Sequence, residues 1–135
     1  MNATNPYVDD VLSPRGLIRE WRGGEATAAG HCTDLLARFS PAFTMISPGG
    51  KQLDAAGLAT FFQAAGGSRP GLQMHIAELM LIQENAAGAT VSYREFQSLP
   101  GAENTQRLST VVYEKTPHGK LLWRHLHETW VVLAA

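Results

Sequence analysis

The feature that most constrains this sequence is a set of four strand-like segments in its carboxy-terminal half. They cover residues 72–84, 89–99, 105–115 and 120–133, and five of the seven valines lie after residue 90. Only four or five residues rich in Gly, Pro and Asn separate one segment from the next. A parallel neighbour requires a crossover connection of about a dozen residues or more, so these segments predict an antiparallel sheet.

The amino-terminal half predicts helices and one short hairpin. All four aspartates lie in the first 54 residues, and Asp favours helix caps and turns. Strand-like residues 43–46 and 51–53 flank a Ser-Pro-Gly-Gly turn. Three helices are expected. The first begins at Ser13-Pro14 and turns Leu17, Ile18 and Trp21 inward. The second carries Ala28, Cys32, Leu35 and Phe39 on one stripe and is ended by Pro41, and the third covers residues 55–65 and is capped by Asp54.

Size and charge exclude several classes of protein. The 135 residues suit a single domain over residues 1–135, with residues 1–13 loosely held. Eleven basic and twelve acidic residues are spread evenly along the chain, so neither nucleic acid nor a membrane surface is an expected partner. One cysteine, no signal sequence and no run of 18 apolar residues predict a cytoplasmic protein.

The order of these elements resembles the nuclear transport factor two-like superfamily, which includes the SnoaL-like proteins. The resemblance covers about residues 15–133 and is carried by residues 35–39 with 43–50, by residues 92–97 and 107–112, and by the closing strand 123–130. It implies an α+β, cone-shaped fold with three amino-terminal helices packed in a strongly bent antiparallel sheet, and a pocket at the open end. Characterised enzymes of the superfamily place an Asp or Glu in that cone.

The long strands contain no aspartate, so the sequence departs from the known enzyme subfamilies. Ketosteroid isomerase and limonene-epoxide hydrolase chemistry is therefore not expected. Alternation along the strands predicts one polar lining with aromatic walls. A one-residue slip in register would exchange this face for the opposite one. The expected lining residues are Tyr93, Glu95, Gln97, Arg107, Ser109, Trp123, His125 and His127, with His75 as a further candidate.

Several chemical roles are open for these residues. Glu95 with His127, supported by His125, is the candidate acid–base pair next to a substrate carbonyl. The alternative is that Glu95 or Glu128 forms an ion pair with Arg107 or Arg94 across strands. His125 and His127, about 6.6 Å apart along one strand, could hold a metal with His75 or Glu95, but neither a metal nor a cofactor is expected.

Arg107 could bind a ligand carboxylate or act as a structural partner.

Two functions follow from these possibilities. The first is a small-molecule-binding protein or small enzyme with isomerase-, cyclase- or hydratase-like acid–base chemistry in the cone. The second is a non-catalytic interaction module. A homodimer through the sheet is expected in both cases, because a broad sheet with Trp and Val on both faces leaves apolar area exposed.

Overall fold

The computed structural model describes residues 5–24 and 29–132. The helices are α1 (Pro6–Asp10), α2 (Leu12–Gly23), α3 (Ala29–Leu36) and α4 (Ala55–Ala65). The strands are β1 (Phe39–Ile46), β2 (Gln52–Asp54), β3 (Gln73–Asn85), β4 (Gly88–Ser98), β5 (Thr105–Lys115) and β6 (Leu121–Trp130). Among the residues described, no helix combines the length and the apolar content needed to cross a membrane.

The four carboxy-terminal strands lie where the sequence predicts them, in one curved six-stranded sheet of order β2-β1-β6-β5-β4-β3. The pairs β3–β4, β4–β5 and β5–β6 are antiparallel, which confirms the inference from the short connections. Strand β1 adds a parallel pair with β6. That pair joins strands that are far apart in the chain, so no connecting loop predicts it.

Helix α4 matches its predicted bounds, and the side chain of Asp54 accepts a hydrogen bond of 2.8 Å from the Gly57 N–H. Part of the amino terminus that the sequence predicts to be loosely held, residues 1–13, lies in helices. Residues 6–10 form α1, α2 begins at Leu12, and Tyr7 and Val11 are buried in the core. These side chains supply apolar contacts that periodicity over so short a stretch does not reveal.

The predicted second helix was extended too far. It ends at Leu36, and Phe39 begins β1 instead of closing a helical stripe. Ala28, its expected first member, lies outside the described residues. Pro41 lies within β1, where the pairing with β6 shifts register between Phe39 and Thr44. Proline has no N–H to donate, so an irregular stretch of strand tolerates it.

The helices cover one face of the sheet, here called the inner face. Its buried side chains include Val91, Tyr93, Val111, Tyr113 and Trp123, which pack in one cluster with helical residues. The opposite, outer face carries the alternate residues of the same strands, and these are only partly buried or exposed. Strand alternation therefore assigns each residue of β4 and β5 to one face.

A bulge in β6 changes which residues of that strand face inward. Val112 pairs with His125 and the next residue, Tyr113, pairs with Trp123, so the residue between them in β6, Arg124, has no opposite partner. An extra residue of this kind reverses the alternation beyond it. The expectation that Trp123, His125 and His127 share a face is therefore wrong, because Trp123 faces inward and the two histidines face outward.

We expect the close approach at Gly88 to be essential to the β4–β5 pairing. A Cβ at position 88 would overlap the backbone carbonyl of Tyr113, whereas a Cβ at Gly49 meets nothing. Gly88→Ala should lower the free energy of unfolding in urea by about 1–3 kcal/mol, the usual cost of overpacking. Gly49→Ala is the matched control and should leave it unchanged. Equal stabilities of the two variants would contradict the pairing described.

Candidate functional site

A cavity of about 430 Å³ lies between the helices and the inner face of the sheet. Its walls are mostly apolar and come from α2, α4, β1, β2, β3 and β6. The main apolar lining residues are Ile18, Phe39, Met45, Leu53, Leu58, Phe61, Phe62, Met74, Trp123 and Leu126. The polar lining side chains are few, as in pockets that bind small organic molecules.

The polar part of the cavity is built on an arginine between two buried glutamates. Arg107 Nε lies 3.6 Å from Glu95 Oε2, and Arg107 Nη1 donates to Glu128 Oε1 at 3.3 Å. The side chains of Glu95 and Glu128 are 0% and 1% exposed, and that of Arg107 is 13% exposed. The Arg107 guanidinium also lies over the Trp130 ring, 4.7 Å from its centroid.

Two neutral side chains complete this cluster. Gln97 Nε2 donates to Glu95 Oε2 at 2.6 Å, and Ser109 Oγ donates to Glu128 Oε2 at 3.0 Å. Each carboxylate therefore has both a charged and a neutral neighbour. Buried charges remain in a folded protein only where such partners offset the cost of removing them from water. Strands β4, β5 and β6 are joined by this network through their side chains as well as by their backbones.

A second guanidinium, that of Arg22 on α2, also lines the cavity. Burial, followed by the positive charges of Arg69 and Arg107, lowers the pKa of Arg22 to about 10, while Glu95 acts in the opposite direction and raises it. The Arg22 guanidinium lies over the Phe61 ring, 5.3 Å from the centroid. Its Nε is buried and has no hydrogen-bond partner among the residues that the structure describes.

The structure brings together most of the residues that the sequence predicts for the site. Gln97, Arg107 and Trp123 line the cavity. Glu95 and Ser109 are buried in the network beside them. Tyr93 faces the same way but is packed in the hydrophobic core.

The three predicted histidines lie outside the cavity. His125 Nδ1 is 2.7 Å from Thr44 Oγ1, and the His125 and His127 ring centroids are 6.5 Å apart on the outer face. Burial lowers the pKa of His125, and His127 and Arg124 lower it further. His75 is exposed on β3 beside Phe96. No group of three His, Cys, Asp or Glu side chains within the described ranges is arranged to hold a metal ion.

The expected acid–base pair is therefore divided by the sheet. Glu95 faces inward and His127 faces outward, so the two side chains cannot act on one substrate. Glu128 occupies the inward position that the sequence assigned to His127, because of the bulge at Arg124. No sequence signal marks that bulge. Arg22 was also missed, since nothing in α2 alone shows that its side chain reaches the sheet.

We expect Arg107 to be required for stability because it neutralises two buried carboxylates. Arg107→Met should lower the free energy of unfolding by on the order of 3 kcal/mol, the cost of removing one partner from a buried ion pair. Arg94→Met is the matched control: Arg94 also contacts a Glu and a Gln, but on the outer face, where Glu78 is 63% exposed. Arg94→Met should lower the free energy of unfolding by about 1 kcal/mol or less. Equal costs in urea denaturation would contradict the assigned network.

The comparisons with known proteins include relatives that match over nearly the whole chain. An NTF-2 like protein of unknown function from Pseudomonas aeruginosa is 39% identical, with 93% of this chain and 98% of that chain covered and a TM-score of 0.88. The association domain of C. elegans CaMKII shares the fold at 15% identity, with 91% and 92% covered and a TM-score of 0.70. No protein-family model matches the chain.

Among curated proteins, sucrose-phosphatase 2 of Nicotiana tabacum is 28% identical over 124 residues, which is 87% of this chain. The chain spans only 29% of the length of that relative. The α+β cone expected from the order of the elements is confirmed by the curved sheet and by the match to the Pseudomonas protein. On the strength of that match, the chain belongs to the nuclear transport factor two-like superfamily.

Proposed function

We propose that the protein binds a small, largely apolar molecule in the cavity between its helices and the inner face of the sheet. The observation that carries the proposal is the combination of a concave space of about 430 Å³, apolar walls and a few converging polar groups. Ligand pockets of about 300–1,000 Å³ have this composition, in which the walls supply affinity and the polar groups fix the orientation of the ligand.

The contacts at the site favour binding over acid–base turnover. Each carboxylate of the network already accepts a hydrogen bond, from Gln97 in one case and from Ser109 in the other, and each lies beside Arg107. A general base needs an oxygen within hydrogen-bond reach of the substrate proton. Isomerase-, cyclase- or hydratase-like chemistry would require Glu128 to exchange these contacts for the substrate. The phosphatase named among the relatives matches this chain over 29% of its own length, so its activity supports no proposal.

Filling the cavity tests the proposal. Met74 lines the cavity, whereas Met80 lies on the outer face and is 61% exposed. We expect Met74→Trp to weaken the binding of octanol, an apolar probe, at least tenfold in calorimetric titration, because the indole would occupy the space that the probe needs. Met80→Trp makes the same chemical change outside the cavity and should leave the affinity unchanged.

Native mass spectrometry of the protein from its own host is the complementary measurement. A retained small molecule in the wild type and in Met80→Trp, but not in Met74→Trp, would support the proposal. Equal retention by the two variants would place the ligand elsewhere. Bare polypeptide in every case, together with no binding of octanol, would overturn the proposal.

A second candidate function is self-association through the outer face of the sheet. That face carries apolar side chains from adjacent strands: Leu108 is 43% exposed, Met80 is 61% exposed, and Phe96 and Val112 lie between exposed and buried. Contiguous exposed apolar area on a protein surface marks an interaction site. The association domain among the structural neighbours supports a fold compatible with assembly.

A charge placed on the outer face separates this candidate from ligand binding. We expect Leu108→Glu to convert a homodimer to a monomer in sedimentation velocity, because two copies of the carboxylate would be buried at the interface. Leu12→Glu makes the same change on α2, where Leu12 is 52% exposed, and should leave the assembly intact. A wild-type protein that sediments as a monomer at all concentrations would exclude this function.

A further inference from the structure

We infer that the molecule held in the cavity is an amphipathic monocarboxylate, and that Arg22 binds its carboxylate. This inference rests on the proposed function and specifies the chemical class of the ligand. It depends on Arg22, a residue outside the set of polar groups that pair with one another on the sheet. The apolar walls would contact the body of the same molecule.

The charge of the cavity lining favours an anion. Among the described residues of the lining, three side chains are cationic, those of Arg22, Lys51 and Arg107, and one is a carboxylate, that of Glu128. Arg107 is occupied, because Glu95 and Glu128 lie on either side of it. Lys51 is exposed and can be hydrated at no cost. Arg22 therefore remains as the partly buried cation of the cavity without a carboxylate in contact among the described residues.

The surroundings of Arg22 strengthen the argument. Arg69 and Arg107 are its main charged neighbours, and their combined effect opposes that of Glu95. A partly buried guanidinium that no carboxylate of the described residues contacts carries a desolvation cost, which a bound anion would relieve. The Phe61 ring beneath the guanidinium restricts its position, as is typical of cation–π pairs. Arg22 is thus a positioned donor that faces a space large enough for a ligand.

The same geometry distinguishes between classes of anion. A planar guanidinium matches a carboxylate, which it can bind through two parallel hydrogen bonds. A dianion such as a phosphate monoester would bring a second negative charge into a cavity that already holds Glu128. The lining offers few polar groups for a sugar-like molecule. One negative charge on an apolar body is the chemistry that the cavity accommodates best.

Three probes of equal chain length and different head groups test the inference: octanoate, octanol and octylamine, each titrated calorimetrically into the full chain at neutral pH. We expect octanoate to bind at least tenfold more tightly than octanol, since hydrogen bonds to a charged group carry about ten- to hundredfold in affinity. Octylamine should bind most weakly of the three probes, because its ammonium group would add a positive charge near those of Arg22 and Arg107.

Variants assign the preference to one residue. Arg22→Gln should weaken the binding of octanoate at least tenfold and leave the affinity for octanol unchanged. Arg22→Lys keeps the positive charge and should retain part of the preference for octanoate over octanol. Lys120→Gln removes one positive charge from an exposed turn and is the matched control, with no expected effect. If Arg22→Gln does not fold, the order of the three probes on the wild type still decides the question.

The outcomes separate the two proposals. Two results would overturn the carboxylate inference and leave the proposed binding in the cavity standing. One is that the wild type binds octanol as tightly as octanoate, or more tightly. The other is that Arg22→Gln loses octanol binding together with octanoate binding. A preference for octylamine would also overturn it and point to Glu128 as the head-group partner. Failure of all three probes to bind, with no retained molecule in native mass spectrometry, would overturn the proposed function itself.

Discussion

The ion-paired network of Arg107 with Glu95 and Glu128 is the interaction on which the interior of this protein depends. It joins three neighbouring strands to one another through side chains that are wholly or mostly buried. A fully apolar core would serve stability as well or better, because a buried ion pair barely repays its desolvation. Stability alone therefore does not account for the charged network, whose Arg107 and Glu128 supply polar groups to the lining of the cavity.

The bulge at Arg124 determines which residues complete that network. Without the extra residue, strict alternation after Trp123 would turn His125 and His127 inward and Glu128 outward, and Arg107 would have one buried partner instead of two. With it, Glu128 lies opposite Ser109 and accepts its hydrogen bond. A backbone irregularity of one residue thus decides the charge and the chemistry of the cavity.

The sequence predicted the features that local chemistry controls. Strand lengths, short connections and the Asp54 cap depend on neighbouring residues, so α4 and the four long strands were located closely, and Glu95, Gln97, Arg107 and Ser109 were placed on one face. The β1–β6 pairing, the inward turn of Glu128 and the approach of Arg22 arise from contacts between distant segments. Phe39 is an example of this difference. It has helical spacing from Cys32 and Leu35, but it lies in a strand, where it contacts Trp123 and Phe43.

Alternation along the strands also explains how one sheet could carry both proposed functions separately. Residues 107 and 108 are adjacent in the chain, yet Arg107 belongs to the cavity and Leu108 to the outer face. A substitution on one face leaves the side chains of the other in place, so the proposed ligand binding and the proposed self-association would change independently. They are linked only through the backbone of β4, β5 and β6. Because the buried network joins the side chains of those strands, loss of Arg107 is a change expected to affect both surfaces together.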